Sequence, residues 1–128
     1  MIASIVFGLA LAYQPAAGAA FSDADMCTAL TGLATRVNAA SPQQLDATTR
    51  IDGVDMSCDA RSVIFNKASL LPETRMRTGW REGMQADLNR MVCSDPRFRQ
   101  VILRGWRFGH VFTLQDGVRV EQIAHCEP

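Results

Sequence analysis

The chain has no surplus of charge of either sign: Lys and Arg total 13 and Asp and Glu total 13 in 128 residues. A protein that grips nucleic acid ordinarily shows a basic excess or a basic stripe that neutralises phosphates. This composition excludes the first. Arg75, Arg77, Arg81, Arg97, Arg99, Arg104 and Arg107 do gather in the middle of the sequence, but Glu73, Glu82, Asp87 and Asp95 interleave with them. Such a mixture reads as a solvated face. Closely spaced cysteines are also absent, which excludes a CxxC redox pair and a short-spaced zinc knuckle. There is no Gly-rich phosphate loop, no HExxH and no GxSxG, so no motif compels a chemistry. Neither a cofactor nor a metal is expected.

One further absence is informative: no charged side chain precedes Asp23. Ile2 to Tyr13 is apolar, Gln14-Pro15 breaks the run, and Ala16-Ala17-Gly18-Ala19-Ala20 follows. An apolar core and then small residues is the pattern of a secretory signal, here without the usual basic start. Residues 1–20 are therefore expected to be a signal peptide cleaved after Ala19 or Ala20, with 21–128 a single domain. The alternative is an uncleaved membrane anchor over residues 2–21, just long enough to span but interrupted by Pro15. No lipobox precedes Cys27.

What the chain does have is four cysteines, Cys27, Cys58, Cys93 and Cys126. An even number in a short exported chain points to two disulfides, in any of three connectivities. Each would contribute about 2–4 kcal/mol by restricting the unfolded chain.

Local patterns give an order of elements. Ser22 and Asp25 form a capping box that opens a helix carrying Met26, Leu30, Leu33 and Val37 on one face, and Ser41-Pro42 ends it. Val54, Met56 and Cys58 alternate with polar residues, Asp59-Ala60-Arg61 turns, and Ser62–Asn66 returns as a second strand. Leu71-Pro72-Glu73 is expected to open the longest helix, with Met76, Trp80, Met84, Leu88 and Met91 as its core stripe and Cys93 at its end. Asp95-Pro96 starts a short helix that Gly105 stops. Phe108, His110, Phe112 and Leu114 then alternate before the turn at Asp116-Gly117, and Val118, Val120, Ile123 and Ala124 follow. This order implies an α+β domain: an N-terminal helix, a hairpin, a long and a short helix, and a C-terminal hairpin. Its antiparallel sheet would be covered by helices on one face.

From Gln43 to Cys126 the chain resembles a group of small exported proteobacterial proteins. The resemblance rests on Leu45-Asp46-Ala47-Thr48-Thr49, on Cys93 ending a helix and Gly105 closing a short one. It continues through Asp116-Gly117, Ile123 and Cys126 in the terminal hairpin. It implies a Cys93–Cys126 bridge from the long helix to the last strand, leaving Cys27 and Cys58 to join the first helix to the first hairpin. The chain departs from the pattern at Cys58 and at His110 and Phe112, where tyrosines are expected. His110 would then replace an aromatic packing residue. The likeness implies fold and compartment, and no activity.

Candidate functional residues are few. Trp106, flanked by Arg104 and Arg107, is expected to be at least partly exposed, and with Trp80 it forms the candidate binding surface. Phe65, Phe108 and Phe112 would more simply be core. His110 and His125 stand on the two arms of one hairpin, with His110 opposite residues 122–124. The function this suggests is a non-enzymatic periplasmic binding protein, an accessory factor or inhibitor of an envelope complex, with an envelope protein as partner. An inner-membrane-anchored subunit is the alternative. A periplasmic hydrolase or redox enzyme using His110, His125 or a free cysteine comes third.

Overall fold

Ser22 caps the first described helix. Its Oγ accepts from the Asp25 amide at 3.0 Å while its own amide donates to the Asp25 carboxylate, which completes the capping box. Helix α1, Asp23–Ala40, follows and buries Met26, Leu30, Leu33, Ala34 and Val37 along one stripe. The computed structural model describes residues 22–127, so the signal or anchor segment at 1–20 lies outside the described residues.

Among the described residues a sheet of five strands runs in sequence order: β1 (Gln43–Gln44), β2 (Thr49–Ser57), β3 (Ser62–Ser69), β4 (Arg107–Thr113) and β5 (Arg119–Ile123). The β2–β3 hairpin turns at residues 58–61, and β4–β5 turns on Asp116-Gly117, as the alternation requires. Three pairings are antiparallel. The fourth, β3 with β4, is parallel, because α2 (Trp80–Cys93) and α3 (Pro96–Leu103) carry the chain back across the sheet between them. The fold is α+β, and its sheet is mixed where the sequence suggested a wholly antiparallel one.

The helices share one face of the sheet. Leu33 and Val37 of α1, Leu88 and Val92 of α2, and Phe98 and Val101 of α3 pack with Val54, Val63, Phe65 and Phe108 in a single core. Asn38 fastens α1 to β2. Its side-chain amide donates to the Val54 carbonyl at 3.0 Å and its oxygen accepts from the Val54 amide at 2.8 Å. The approach needs a glycine beside it, since a Cβ on Gly53 would sit 2.9 Å from the Asn38 oxygen.

The start of α2 corrects the sequence reading. Leu71-Pro72-Glu73 does not open a long helix: Glu73–Arg75 makes one 3-10 turn, and α2 begins only at Trp80, behind Gly79 in the left-handed region. A tertiary clamp explains the delay. The Glu73 amide donates to the Asp116 carboxylate at 3.0 Å and the Gln115 amide donates to the Leu71 carbonyl at 3.1 Å, so this segment is tied to the β4–β5 turn. The Glu73 amide, with help from the Val118 amide, holds the Asp116 carboxyl below its ordinary value. Met76 is thereby off the helix, and among the described residues α1 with 18 residues, not α2 with 14, is the longest helix.

Two disulfides complete the frame. Cys27–Cys58 joins α1 to the first hairpin, and Cys93–Cys126 joins the end of α2 to the segment beyond β5, with Cα separations of 5.6 and 5.5 Å. Helix α2 also guards the outer edge of β5. The Gln85 amide donates to the Ile123 carbonyl at 2.8 Å, and Asn89 accepts from the His125 amide at 2.8 Å. Unpaired strand edges invite unwanted pairing, and side chains that occupy the edge prevent it.

Candidate functional site

The surface expected around Trp106 is not there. Trp106 is 4% exposed and belongs to the core. The reason is the way α3 ends. Gly105, at φ +91°, donates to the Ile102 carbonyl, and the Trp106 amide donates to the Val101 carbonyl. This is a Schellman ending, in which the residue after the glycine folds back onto the last turn of the helix. Trp106 therefore lies inside with Val101 and Phe98, and its indole nitrogen has no hydrogen-bond partner among the described residues.

The remaining members of the expected surface do not assemble either. Arg104 lies 4.0 Å from the Asp23 carboxylate, and Arg61 donates both to that carboxylate at 3.0 Å and to the Arg104 carbonyl. Arg107 pairs with Glu121 at 3.2 Å. Trp80 stands by the opposite end of β4, 6.4 Å from the Phe112 ring, with the Arg81 guanidinium over it and Arg81 held by Glu73 at 2.8 Å. These arginines are engaged by acids on the surface, where such pairs contribute little to stability.

A different group does converge. On three neighbouring strands, Lys67 (β3), His110 (β4) and Gln122 (β5) occupy positions of the face that packs on the helices, in phase with Val63 and Phe65, with Phe108, and with Ala124. They form a polar chain. Lys67 Nζ lies 3.4 Å from His110 Nδ1, His110 Nε2 lies 2.8 Å from Gln122 Oε1, and Gln122 Nε2 donates to the Arg81 carbonyl at 2.7 Å. The last bond settles the directions. An amide that donates through nitrogen presents its oxygen to His110, so Nε2 carries the proton and Nδ1 accepts from the lysine.

His110 and Gln122 are buried and Lys67 is half-buried. Burial holds the Lys67 ammonium below its ordinary value. It does the same to the imidazole of His110, with the Lys67 charge adding to the effect and the bond to Gln122 opposing it. The imidazole is accordingly neutral, and the lysine is the single charge of the group. The expected pairing of His110 with residues near 122 holds, since Gln122 is its partner in the register. His125, exposed beyond β5, is not part of the chain of bonds. All four cysteines are bridged, so none is available as a redox thiol.

In the sequence reading the second strand ends at Asn66, which leaves Lys67 outside it, and Gln122 has no role; the strand in fact runs on to Ser69. The signal that finds them is parity. Lys67 follows Val63 and Phe65 at steps of two, and Gln122 stands between Val120 and Ala124 at the same step. Lys67 is also the one lysine in the sequence.

No protein-family model matches the chain, and no curated protein sequence matches it. Solved structures do. A crystal structure from Pseudomonas aeruginosa, described as that of a secreted protein, superposes with a TM-score of 0.57 at 20% identity, covering 83% of this chain and 89% of that one. EpsS, the pilotin of the Vibrio vulnificus type 2 secretion system, superposes with a TM-score of 0.59 at 12% identity, covering 83% of this chain and 96% of that one. At such identities the likeness is one of fold.

Proposed function

We propose that this protein is an exported, non-enzymatic accessory factor that binds a protein of an envelope complex, in the manner of a pilotin. The observation that carries this reading is the superposition on EpsS, which takes in 96% of that protein's chain and so concerns the whole domain. Three further features agree with it. Two disulfides suit an oxidising compartment. The likeness to a secreted protein and the resemblance to small exported proteobacterial proteins point to the same compartment. The buried histidine has both ring nitrogens engaged, by Lys67 and Gln122, and no hydroxyl or thiol bonded to it among the described residues, so it is not set up as the base of a Ser-type or Cys-type nucleophile. The partner is accordingly expected in the periplasm or at the membranes that bound it.

The test is capture from a periplasmic extract with the oxidised domain as bait and the reduced, unfolded domain as control. A stoichiometric envelope protein retained only by the oxidised bait is the expected result. Repeated recovery of nothing by a bait shown to be folded would overturn the proposal.

A further inference from the structure

We propose that Lys67 and His110 form a recognition site for one carboxylate of the partner. The inference rests on the binding reading above and names the chemistry of the contact. Its first support is a contrast among the cations. Among the described residues seven arginines lie within ion-pair distance of an Asp or Glu. Of those that do not, Arg36, Arg75, Arg77 and Arg119 are exposed to water and Arg99 donates to the Glu127 carbonyl, whereas Lys67 has no such acid among the described residues and stands on the inward face of the sheet. An ammonium has three N–H donors and no acceptor. One of the three points at His110 Nδ1 over a long 3.4 Å, and the structure offers no acceptor for the others among the described residues.

The second support is placement. Lys67 stands between Ile51 and Phe112 in the register of its strand neighbours, with Trp80 beyond Phe112. A cation with apolar neighbours and incomplete hydrogen bonding weakens the fold, and a methionine at this position would not. Polar residues that break the pattern of a core without compensation within the fold are expected where function requires them. Lys67 as a residue is half-buried, not sealed in the core.

The third support is charge. Because Gln122 is fixed by the Arg81 carbonyl, His110 donates outward to Gln122 and accepts from Lys67, so the pair carries one positive charge. A carboxylate, with one negative charge and two acceptor oxygens, matches that charge and the unfilled lysine donors. A phosphate dianion would leave an uncompensated charge in an apolar setting.

The sequence itself makes the test clean. Full-length protein labelled with 13C at lysine Cε gives one side-chain signal, because there is one lysine. That signal and the ring signals of His110 are followed during titration with N-acetylphenylalanine, a chain-terminal carboxylate, and with N-acetylglutamate α-amide, a side-chain carboxylate. Their uncharged amides serve as controls. The expected result is a saturable shift in the millimolar range for at least one acid and none for its amide. The responding acid identifies the source of the carboxylate. In Lys67→Met the acid is expected to leave the His110 signals unmoved, while circular dichroism shows an intact fold. No response to either acid, an equal response to acid and amide, or a His110 response that survives Lys67→Met overturns the site. The acid–amide comparison decides the matter on the unmodified protein even if the variant does not fold. Partner capture failing while the acid shifts Lys67 would sink the accessory-factor reading alone; capture succeeding without an acid response would sink this site alone.

Discussion

Replacing Cys93 and Cys126 together by alanine removes one bridge and measures how much the frame depends on it. The bridge closes a loop of 33 residues in sequence. The restriction it places on the unfolded chain corresponds to about 3.7 kcal/mol at ~25 °C. Cys27–Cys58 closes a loop of 31, and since the dependence is logarithmic its contribution is the same, about 3.7 kcal/mol. The folded state separates the two. Cys126 is 5% exposed and part of the core, while Cys27 and Cys58 are only half-buried. Loss of the Cys126 sulfur therefore adds a packing cost of roughly 1 kcal/mol that the other variant avoids. With an unfolding entropy near 0.2 kcal/mol/K for a domain of about 100 residues, either variant should melt roughly 15–25 °C lower. Urea titration followed by circular dichroism gives the free energies directly. A loss below about 1 kcal/mol in either double variant, with an unchanged denaturant slope, would refute the chain-entropy reasoning. A smaller loss for Cys93–Cys126 than for Cys27–Cys58 would refute the packing argument.

Acid should weaken the domain through His110. Burial first, and the Lys67 charge second, hold its imidazole below the ordinary 6.5, so the unfolded chain takes up that proton before the folded one does. Stability is then full above about pH 6.5 and declines as pH falls through the folded value. Urea midpoints measured between about pH 7.5 and 5.5 should fall, and His110→Gln should flatten the decline; an equal slope in the variant would exclude His110 as its source. Gly109→Ala should cost about 3 kcal/mol or prevent folding, because the added Cβ would lie 2.1 Å from the Gln122 carbonyl oxygen. Normal yield and a wild-type urea midpoint for that variant would show that the β4–β5 register is wrong.

Much of the fold is legible because it is local. Ser22 and Asp25 form their capping box from atoms three residues apart, and Met26, Leu30, Leu33 and Val37 share a stripe by helical geometry alone. Alternation finds both hairpins, and Asp116-Gly117 marks the turn of the second. Trp106 was misread although its signal was present. Once Gly105 is recognised as a helix stop, the Schellman ending turns the following residue inward, and the charge of Arg104 and Arg107 beside it is no guide to the indole. The expected start of a helix at Leu71 fails for a reason no local pattern holds: Asp116, 43 residues on, captures the Glu73 amide.

The candidate site divides along the same line. Alternation alone places Lys67, His110 and Gln122 on the inward face of their own strands. It does not say that they touch. Their contact depends on β4 lying parallel beside β3, with Phe65 opposite His110 and Lys67 opposite Phe112, and on β5 pairing with the far side of β4. The sequence by itself determined the caps, turns, strand phases and the even cysteine count, all set by interactions within a few residues. The tertiary structure decided which strands are neighbours, where α2 begins and which polar side chains meet on the inward face. Those outcomes depend on how the α2–α3 crossover returns the chain to the sheet, and that return is set by the packing of the whole core.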